Sequence, residues 1–271
     1  MAKRTPNNTG WEVSPQKPKN EPDRGLNLLV FVVVFTAIFL TAWFLGLVVF
    51  VASRNMETTV TRVNMASIRT ARQSHFEAAE YVEPKAYALE EPDPFVLAEF
   101  DRMMLEINPD FVCWIYIGGT NIDYPVVRAA DNEKYLDLTF FGEPNRHGAI
   151  FMDYRNMGAF VPHIIIYGHN TRDGTKFGSL RYFLDDGFLR ENPYISLITN
   201  GRVVKYRIFS ARLTDVYDPA YFLDFSEPGS FRAFLERNGA PPGASQIVTL
   251  STCVSRGRDY ERLVVQGSLV E

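Results

Sequence analysis

The feature that most constrains this chain is an apolar run near its N-terminus. Leu28 to Ala52 comprises 25 residues without one charged side chain. Because a helix rises about 1.5 Å per residue, such a run crosses a hydrocarbon layer of roughly 30 Å with room for tilt. A cleaved signal peptide is the alternative, but its apolar region spans only about 7–15 residues before a small-residue cleavage site. The sequence "SRNMETT" that follows offers no such site, so we predict a retained transmembrane anchor.

The segments on the two sides of this run suggest a topology. Residues 1–27 are rich in Pro and Asn, and we predict a disordered cytoplasmic tail there. Five Lys and Arg residues precede the run and four Arg residues follow it closely, which is a weak positive-inside bias. More than 200 residues follow. If they carry surface chemistry, the protein is N-in and C-out, with an extracellular helical stalk over 53–92 and a catalytic domain over 93–271.

Charge and cysteine content exclude several classes of protein. The formal net charge is −4 and the pI is about 5.7, which indicates no nucleic-acid partner. Two cysteines, Cys113 and Cys253, could form one disulfide but not a disulfide-dense scaffold. We expect neither a metal nor another cofactor, because no histidine has zinc-site spacing to a cysteine. The four histidines are His75, His147, His163 and His169.

From about residue 110 the chain reads as short β-rich runs separated by turn residues such as Gly118-Gly119 and Asn200-Gly201. The runs are 113–117, 122–127, 148–154, 163–169, 194–200, 202–213, 246–253 and 262–270. Eight strands at this spacing predict a mainly β fold, a closed or nearly closed eight-stranded barrel. Helices are predicted over 93–107, where Asp93-Pro94 reads as N-cap and N1, and over 177–186 and 228–239.

Three residues at predicted strand ends could form a nucleophilic site, which requires a thiolate, a proton-handling group and a positive charge. Cys253 ends the strand that contains "TLSTC", and His169 ends "HIIIYGH". Arg262 opens the last strand nine residues after the cysteine, so an antiparallel turn can bring the two together. Taken singly, each residue has a plain structural interpretation: an inert buried thiol, a turn histidine or a surface charge. Arg256 and Arg258 compete with Arg262, although their loop position favours solvation.

Longer motifs resemble one known family. "TLSTC" followed by "RLVV" resembles the active-site signature of sortases. The segments "GTNIDYPVVRAADNEKYLDLTFFGEPNRHGAIFMDYRN" (119–156) and "IIIYGHNTRDGTKFGSLRYF" (164–183) resemble class B sortases. The resemblance extends over 108–271 and includes a helix between strands six and seven, here 228–239. It implies a sortase β-barrel, preceded by a transmembrane helix, and cysteine transpeptidation at a bacterial surface.

The resemblance also implies roles and partners. Cys253 would attack the threonine carbonyl of an LPxTG-like or NPxTN-like sorting signal, Arg262 would stabilise the oxyanion, and His169 would act as acid and base. The expected partners are sorting-signal-bearing surface proteins or pilins, and an amine of the cell-wall precursor lipid II.

Substrate contacts are implied at positions that match the class B groove. These are Asn132 and Leu136 in "DNEKYL", Tyr221 and Phe222 before the inserted helix, and Ser251. Tyr167, two residues before His169, is expected to wall the site. Plain core packing is the alternative for Leu136, Phe222 and Tyr167.

The sequence departs from the family pattern at Cys113, where relatives often have glycine. We expect a buried free thiol there, since a bond to Cys253 would abolish activity. The tripeptide "DPF" (93–95) resembles the lid of class C enzymes, but here it opens a helix.

Other assignments of the site compete with class B. An L,D-transpeptidase would need S-x-G-C with an arginine two residues on, whereas Cys253 is followed by Val254 and Ser255. A pilin-polymerising sortase and a catalytically silent sortase-like scaffold remain alternatives.

Overall fold

The structure, a computed structural model, describes residues 24–80, 94–156, 161–253 and 261–270. Its first element is α1, a single helix of 57 residues over Arg24–Glu80. Within α1, Phe31–Val51 is long and apolar enough to cross a membrane, with a mean hydropathy of 2.6 and exposed side chains. This is the one candidate span in the described part of the chain, and it lies inside the predicted anchor. Nearly all of the predicted tail falls outside the described residues.

Eight strands in the described residues close into a barrel. They are β1 (Phe111–Tyr116), β2 (Asp123–Val127), β3 (Ile150–Met152), β4 (His163–Tyr167), β5 (Tyr194–Thr199), β6 (Arg202–Asp215), β7 (Ile247–Cys253) and β8 (Glu261–Leu269). Their order around the barrel is β1-β2-β3-β4-β7-β8-β6-β5. Neighbouring strands are antiparallel except for β2 with β3 and β4 with β7, which are parallel. The predicted eight-stranded barrel is therefore confirmed, and each predicted β-run overlaps one of the strands.

Three helices accompany the barrel: α2 (Pro94–Ile107), α3 (Asp186–Glu191) and α4 (Ser230–Asn238). The position of α4 between β6 and β7 is as predicted, whereas the proposed cap Asp93 lies outside the described residues. The helix predicted over 177–186 is present as a 3-10 helix, Gly178–Leu184. It ends there because Asp185 is extended (φ −96°, ψ 120°), and α3 begins as a separate helix after it. The Asp185 carboxylate accepts a hydrogen bond from the Phe188 N–H at 2.8 Å and so caps α3.

The core lies inside the barrel and beneath α2. Phe100 and Met104 of the predicted apolar stripe are buried, at 0% and 1% exposure. The Phe100 ring meets Trp114 of β1 edge-on, with 5.5 Å between ring centroids, and Trp114 is itself fully buried. Ile107, the last residue of the predicted stripe, is not part of the core, because its side chain is 44% exposed at the end of the helix.

The end of α1 packs against the barrel. The chain forms two compact units, and Glu57–Glu271 is the second, so part of the predicted stalk belongs with the barrel. Met65 and Ile68 are buried in the same core as the strands. Arg72 forms an ion pair with Asp123 of β2, with 3.0 Å between Nη2 and Oδ2. These contacts fix the helix on the β1–β2 side of the barrel. The boundaries proposed for tail, anchor, stalk and catalytic domain stay predictions.

The strand β7 alternates between an inner and an outer face. Val248 and Leu250 belong to the core cluster. Since alternate residues of a strand share a face, Thr252 points inward with them, while Ser251 and Cys253 lie on the outer face. The β6–β7 connection lies over that outer face, where the Tyr221 hydroxyl reaches Ser251. The candidate site is thus on the outside of the barrel wall.

Candidate active site

Cys253 and Arg262 face each other across two neighbouring strands. They are direct partners in the antiparallel register of β7 and β8, and side chains at such positions have Cβ atoms about 4.5–5.5 Å apart. The Cys253 thiol is free and exposed. Arg256 and Arg258, the competing cations, lie outside the described residues. Register alone therefore places an arginine residue directly opposite the cysteine, and its Nη1 donates to the Glu261 carbonyl oxygen at 3.0 Å.

Tyr221 lies beside this pair and contacts Ser251, the residue two before the cysteine. Its hydroxyl oxygen lies 2.7 Å from Ser251 Oγ. Burial raises the pKa of Tyr221, although the hydrogen bond with Ser251 and the positive charge of Arg262 oppose that shift. Cys253 also acts electrostatically on this phenol. Tyr221, Ser251, Cys253 and Arg262 consequently form one cluster on the outer face of β7 and β8.

His169 enters the site from β4, which runs parallel to β7. Tyr167 is the register partner of Ser251, and His169 follows two residues later. The ring is half-buried, and its Nε2 lies 2.8 Å from the Leu136 carbonyl oxygen. Because a carbonyl only accepts, Nε2 carries a hydrogen and donates. In the neutral ring, Nδ1 is then the nitrogen that can take up a proton.

Backbone contacts fix the segment around His169. The Asn170 side chain donates to the Cys253 carbonyl oxygen at 2.8 Å, and the Phe177 N–H donates to the His169 carbonyl oxygen at 3.1 Å. A Cβ at Gly168 would lie only 2.8 Å from the Phe177 ring, so glycine alone fits there without movement. Neither Asn170 nor Phe177 was predicted. Their proximity to the histidine in sequence was the only signal.

The remaining predicted groove residues surround this cluster. Leu136 and Phe222 are 39% and 43% exposed, so core packing does not account for either side chain. Tyr167 is half-buried, and its hydroxyl donates to Asp153 Oδ2 at 2.9 Å. Asn132 donates through Nδ2 to the same carboxylate oxygen at 3.2 Å. Asp153 was missed at the sequence level, because its contacts join residues distant along the chain.

A buried histidine, His163, supports the β6–β7 connection. It is 0% exposed, with Nδ1 2.8 Å from the Phe222 carbonyl oxygen and Nε2 2.8 Å from Thr249 Oγ1. The carbonyl requires a hydrogen on Nδ1, so the neutral ring accepts the Thr249 hydroxyl hydrogen at Nε2. Gln266 in turn donates to Thr249 Oγ1 at 3.1 Å. Burial lowers the pKa of His163 to about 4, so the neutral ring holds the Phe222 backbone to the barrel wall.

A further histidine, His147, lies within electrostatic reach of His169. Burial lowers the pKa of His147, and the positive charge of Arg146 adds to this shift, while Asp173 opposes it. The Arg146 Nε–H donates to His147 Nε2 at 3.0 Å, a contact that suits a neutral imidazole. Across the described part of the chain, no three His, Cys, Asp or Glu side chains converge as metal ligands would.

Comparison with known proteins gives one consistent family. Residues 115–270 match the family model described as "Sortase domain". Sortase B of Listeria monocytogenes is 38% identical over 185 residues, which cover 62% of this chain and 73% of that protein. Sortase B of Staphylococcus aureus is 31% identical over 177 residues, 61% of this chain and 72% of the relative.

Solved structures agree with the sequence matches. A Staphylococcus aureus sortase B–substrate complex superposes with a TM-score of 0.68 at 26% identity, covering 80% of this chain and 99% of that one. A mutant form of Clostridium perfringens sortase B gives a TM-score of 0.61 at 29% identity, over 66% of this chain and 90% of the other.

Proposed function

The chain belongs to the sortase family, among its class B members, and we propose that it is a membrane-anchored transpeptidase that attaches sorting-signal proteins to the cell wall. Sortase B proteins are cell-wall transpeptidases, and the present chain shares their barrel. The observation that carries the finer proposal is the β7–β8 register. It sets an exposed free thiol, Cys253, directly opposite Arg262, at the strand end next to the segment that bears His169.

In the first half of the proposed reaction, the Cys253 thiolate attacks the threonine carbonyl carbon of an LPxTG-like or NPxTN-like signal. A carbon–sulfur bond forms, and the negative charge of the tetrahedral intermediate develops beside the Arg262 guanidinium. A donor of this kind contributes about 3–4 kcal/mol to transition-state stabilisation. His169 Nδ1 takes up the proton that the Cys253 thiol loses, and when the peptide C–N bond breaks it passes this proton to the departing amine. The product is a thioester with the substrate's acyl group.

In the second half, an amine attacks this thioester. His169, now neutral, accepts the proton of the incoming amine, and the thiolate leaves. An amine of the peptidoglycan precursor lipid II is the proposed acceptor, because only aminolysis leaves the surface protein attached to the wall. Attack by water on the same thioester would be thiol-protease hydrolysis, the side reaction that places such an enzyme in the hydrolase class.

The peptide would lie in the groove on the outer face of the barrel. We assign its contacts to six residues: Asn132, Leu136, Tyr167, Tyr221, Phe222 and Ser251. The exposure of the apolar Leu136 and Phe222 side chains supports this assignment, since such side chains beside a reactive thiol suit an extended peptide. The hydrogen bond between Tyr221 and Ser251 would hold the two polar groups as one surface.

The proposed location follows from the apolar part of α1. Phe31–Val51 would span the cell membrane once, with the N-terminus in the cytoplasm and the barrel outside, facing the wall. Substrate proteins and lipid II are both available on that side of the membrane.

The decisive experiment uses the full chain in detergent micelles with a panel of LPxTG-like and NPxTN-like peptides and triglycine as the amine. Mass spectrometry should detect an acyl-enzyme on Cys253 and an amine-exchanged peptide. Cys253→Ala should abolish both products, whereas the matched control Cys113→Ala should retain them. No adduct with any peptide, or bound peptide that is never cleaved, would favour the silent scaffold and sink the enzymatic proposal.

The assignment of the oxyanion-stabilising residue is tested separately. Arg262→Met should lower kcat by about 100- to 1,000-fold, the cost of removing one oxyanion donor. Arg256→Met and Arg258→Met provide matched controls from the sequence between β7 and β8 and should change kcat less than about threefold. A comparable loss in either control would move the role away from Arg262.

A further inference from the structure

A buried carboxylate lies behind the proposed groove wall. Asp153 directly follows β3 and is 0% exposed. It accepts hydrogen bonds from the Tyr167 hydroxyl at 2.9 Å and from Asn132 Nδ2 at 3.2 Å. Arg155 donates through its backbone N–H at 3.0 Å and through Nε and Nη2, both at 2.8 Å. The donors come from β4, from the segment before β3 and from the turn after it, so three parts of the chain converge on one carboxylate.

We propose that Asp153 is a positioning residue for substrate recognition, which holds Asn132 and Tyr167 together as one rigid wall of the peptide groove. This inference rests on the proposed function of the site. Asp153 itself is enclosed and touches no substrate, so it acts only through its two polar partners.

The Asn132 amide is fixed at both ends. Its Nδ2 donates to Asp153, and its Oδ1 accepts the Tyr154 N–H at 3.0 Å. The orientation of an asparagine amide is set by its hydrogen-bond partners. A carboxylate can only accept, so Asp153 selects the orientation in which Nδ2 faces inward. The remaining N–H and the remaining lone pair of Asn132 are then presented to a peptide in a defined arrangement.

The Tyr167 ring is fixed in a similar way. It packs against Phe151 with 5.4 Å between ring centroids, and its hydroxyl ends on Asp153. Burial raises the pKa of Tyr167, and the adjacent carboxylate raises it further, so the hydroxyl remains a donor. Burial alone would raise the pKa of Asp153, but the hydrogen bonds from Arg155 and Tyr167 lower it overall. The Asp153 carboxylate therefore stays ionised.

Replacing this carboxylate by an amide creates a specific conflict. Every group around Asp153 in the described structure is a donor, and Asp153→Asn turns an NH₂ group toward at least one of them. The Tyr167 hydroxyl can rotate to accept, but the guanidinium of Arg155 and Nδ2 of Asn132 cannot. If the NH₂ group takes the place of Oδ2, the Asn132 amide must flip or move away. If it takes the place of Oδ1, it opposes the backbone N–H and Nε of Arg155 and displaces the turn after β3. In either orientation the wall loses a contact that holds it, while the reacting thiol is untouched.

The test compares steady-state kinetics of the full chain in detergent for Asp153→Asn and a matched control, Asp101→Asn. Asp101 is also buried, at 9% exposure, but it accepts from the Gly201 N–H at 3.3 Å, in the turn between β5 and β6. Asp153→Asn should raise the KM for the sorting peptide by about 5- to 100-fold, because a buried donor of the wall is left unsatisfied, with kcat within about threefold. Asp101→Asn should leave both constants within about twofold, even where it lowers thermal stability.

The outcomes separate this inference from the proposed function. Absence of turnover by the wild-type chain would refute the function before any variant is compared. Turnover by the wild-type chain with an unchanged KM in Asp153→Asn, or parallel losses in Asp153→Asn and Asp101→Asn, would overturn the positioning role. If Asp153→Asn yields no folded protein, Tyr167→Phe removes one of its contacts from the other end. The KM should then rise at least threefold, and an unchanged KM would overturn the role.

Discussion

Protonation of His163 is expected to control the acid stability of the barrel. The ring is buried and neutral, and its pKa in the folded chain is about 4, against about 6.5 for an ordinary histidine. Below pH 6.5 the unfolded chain binds a proton at this residue, whereas the folded chain does not until about pH 4. The free energy of unfolding therefore falls as the pH is lowered through this window, and the contribution is fully present only above pH 6.5.

The magnitude follows from the difference between the two pKa values. Each unit corresponds to about 1.4 kcal/mol, so the interval from about 6.5 to about 4 amounts to roughly 3 kcal/mol of lost stability. Against a total of about 5–15 kcal/mol for a domain, this loss is large. It has a structural consequence as well, because an imidazolium donates from Nε2 and the Thr249 hydroxyl hydrogen must then turn away from the ring.

The assay is urea denaturation of the full chain in detergent at pH 7, 6, 5 and 4.5, compared with His163→Gln. Other groups in this pH window, such as His147, are present in both proteins and cancel in the comparison. Over the range from pH 6 to 4.5 the wild-type chain should lose about 1.4 kcal/mol per pH unit more than the variant. Equal pH dependence in the two proteins, or an NMR titration of the His163 ring with a midpoint near 6.5, would refute the reasoning.

Three further predictions concern the outer face of the barrel and the two thiols. Gly168→Ala forces a Cβ to within 2.8 Å of the Phe177 ring. The free energy of unfolding, measured by urea denaturation, should fall by about 1–3 kcal/mol, and transpeptidation should slow. A variant with wild-type stability would contradict this packing. Iodoacetamide should label Cys253 but not Cys113, which is 2% exposed and whose pKa burial raises; peptide mapping that finds labelled Cys113 in the folded protein would be inconsistent with its position. Tyr221→Phe should lower kcat/KM about 5- to 10-fold through loss of one hydrogen bond, and equal kinetics would show that its hydroxyl is dispensable.

Much of the fold could be predicted because its determinants are local. The Asn200-Gly201 turn has φ of 51° and 69°, the left-handed values that a tight hairpin requires, and both residue types tolerate them. The end of the helix predicted over 177–186 was missed because helical propensity does not reveal that Asp185 is extended and caps a separate helix. Alternation along "TLSTC" is also the local reason that Ser251 and Cys253 share a face of β7.

The supporting contacts of the site could not be predicted, since they join distant parts of the chain. His163 and Thr249 are 86 residues apart, and the His169 ring meets a carbonyl 33 residues before it. Every residue has a backbone carbonyl group, so the residue type at position 136 gives no indication that its carbonyl accepts from His169. In the sequence, Asp153 is one more polar residue after a strand, and only the structure shows that Asn132 and Tyr167 donate to it.

The two kinds of support have different consequences for specificity. Backbone groups hold the catalytic side: the Leu136 carbonyl accepts from His169, and the Cys253 carbonyl accepts from Asn170. Such contacts survive a change of side chain at 136 or 253. Side chains hold the groove wall, where Asn132 depends on the carboxylate of Asp153. Under the proposed function, a change at a residue such as Leu136 would therefore alter the sorting motif that the chain accepts and leave the backbone contacts of His169 and Cys253 in place.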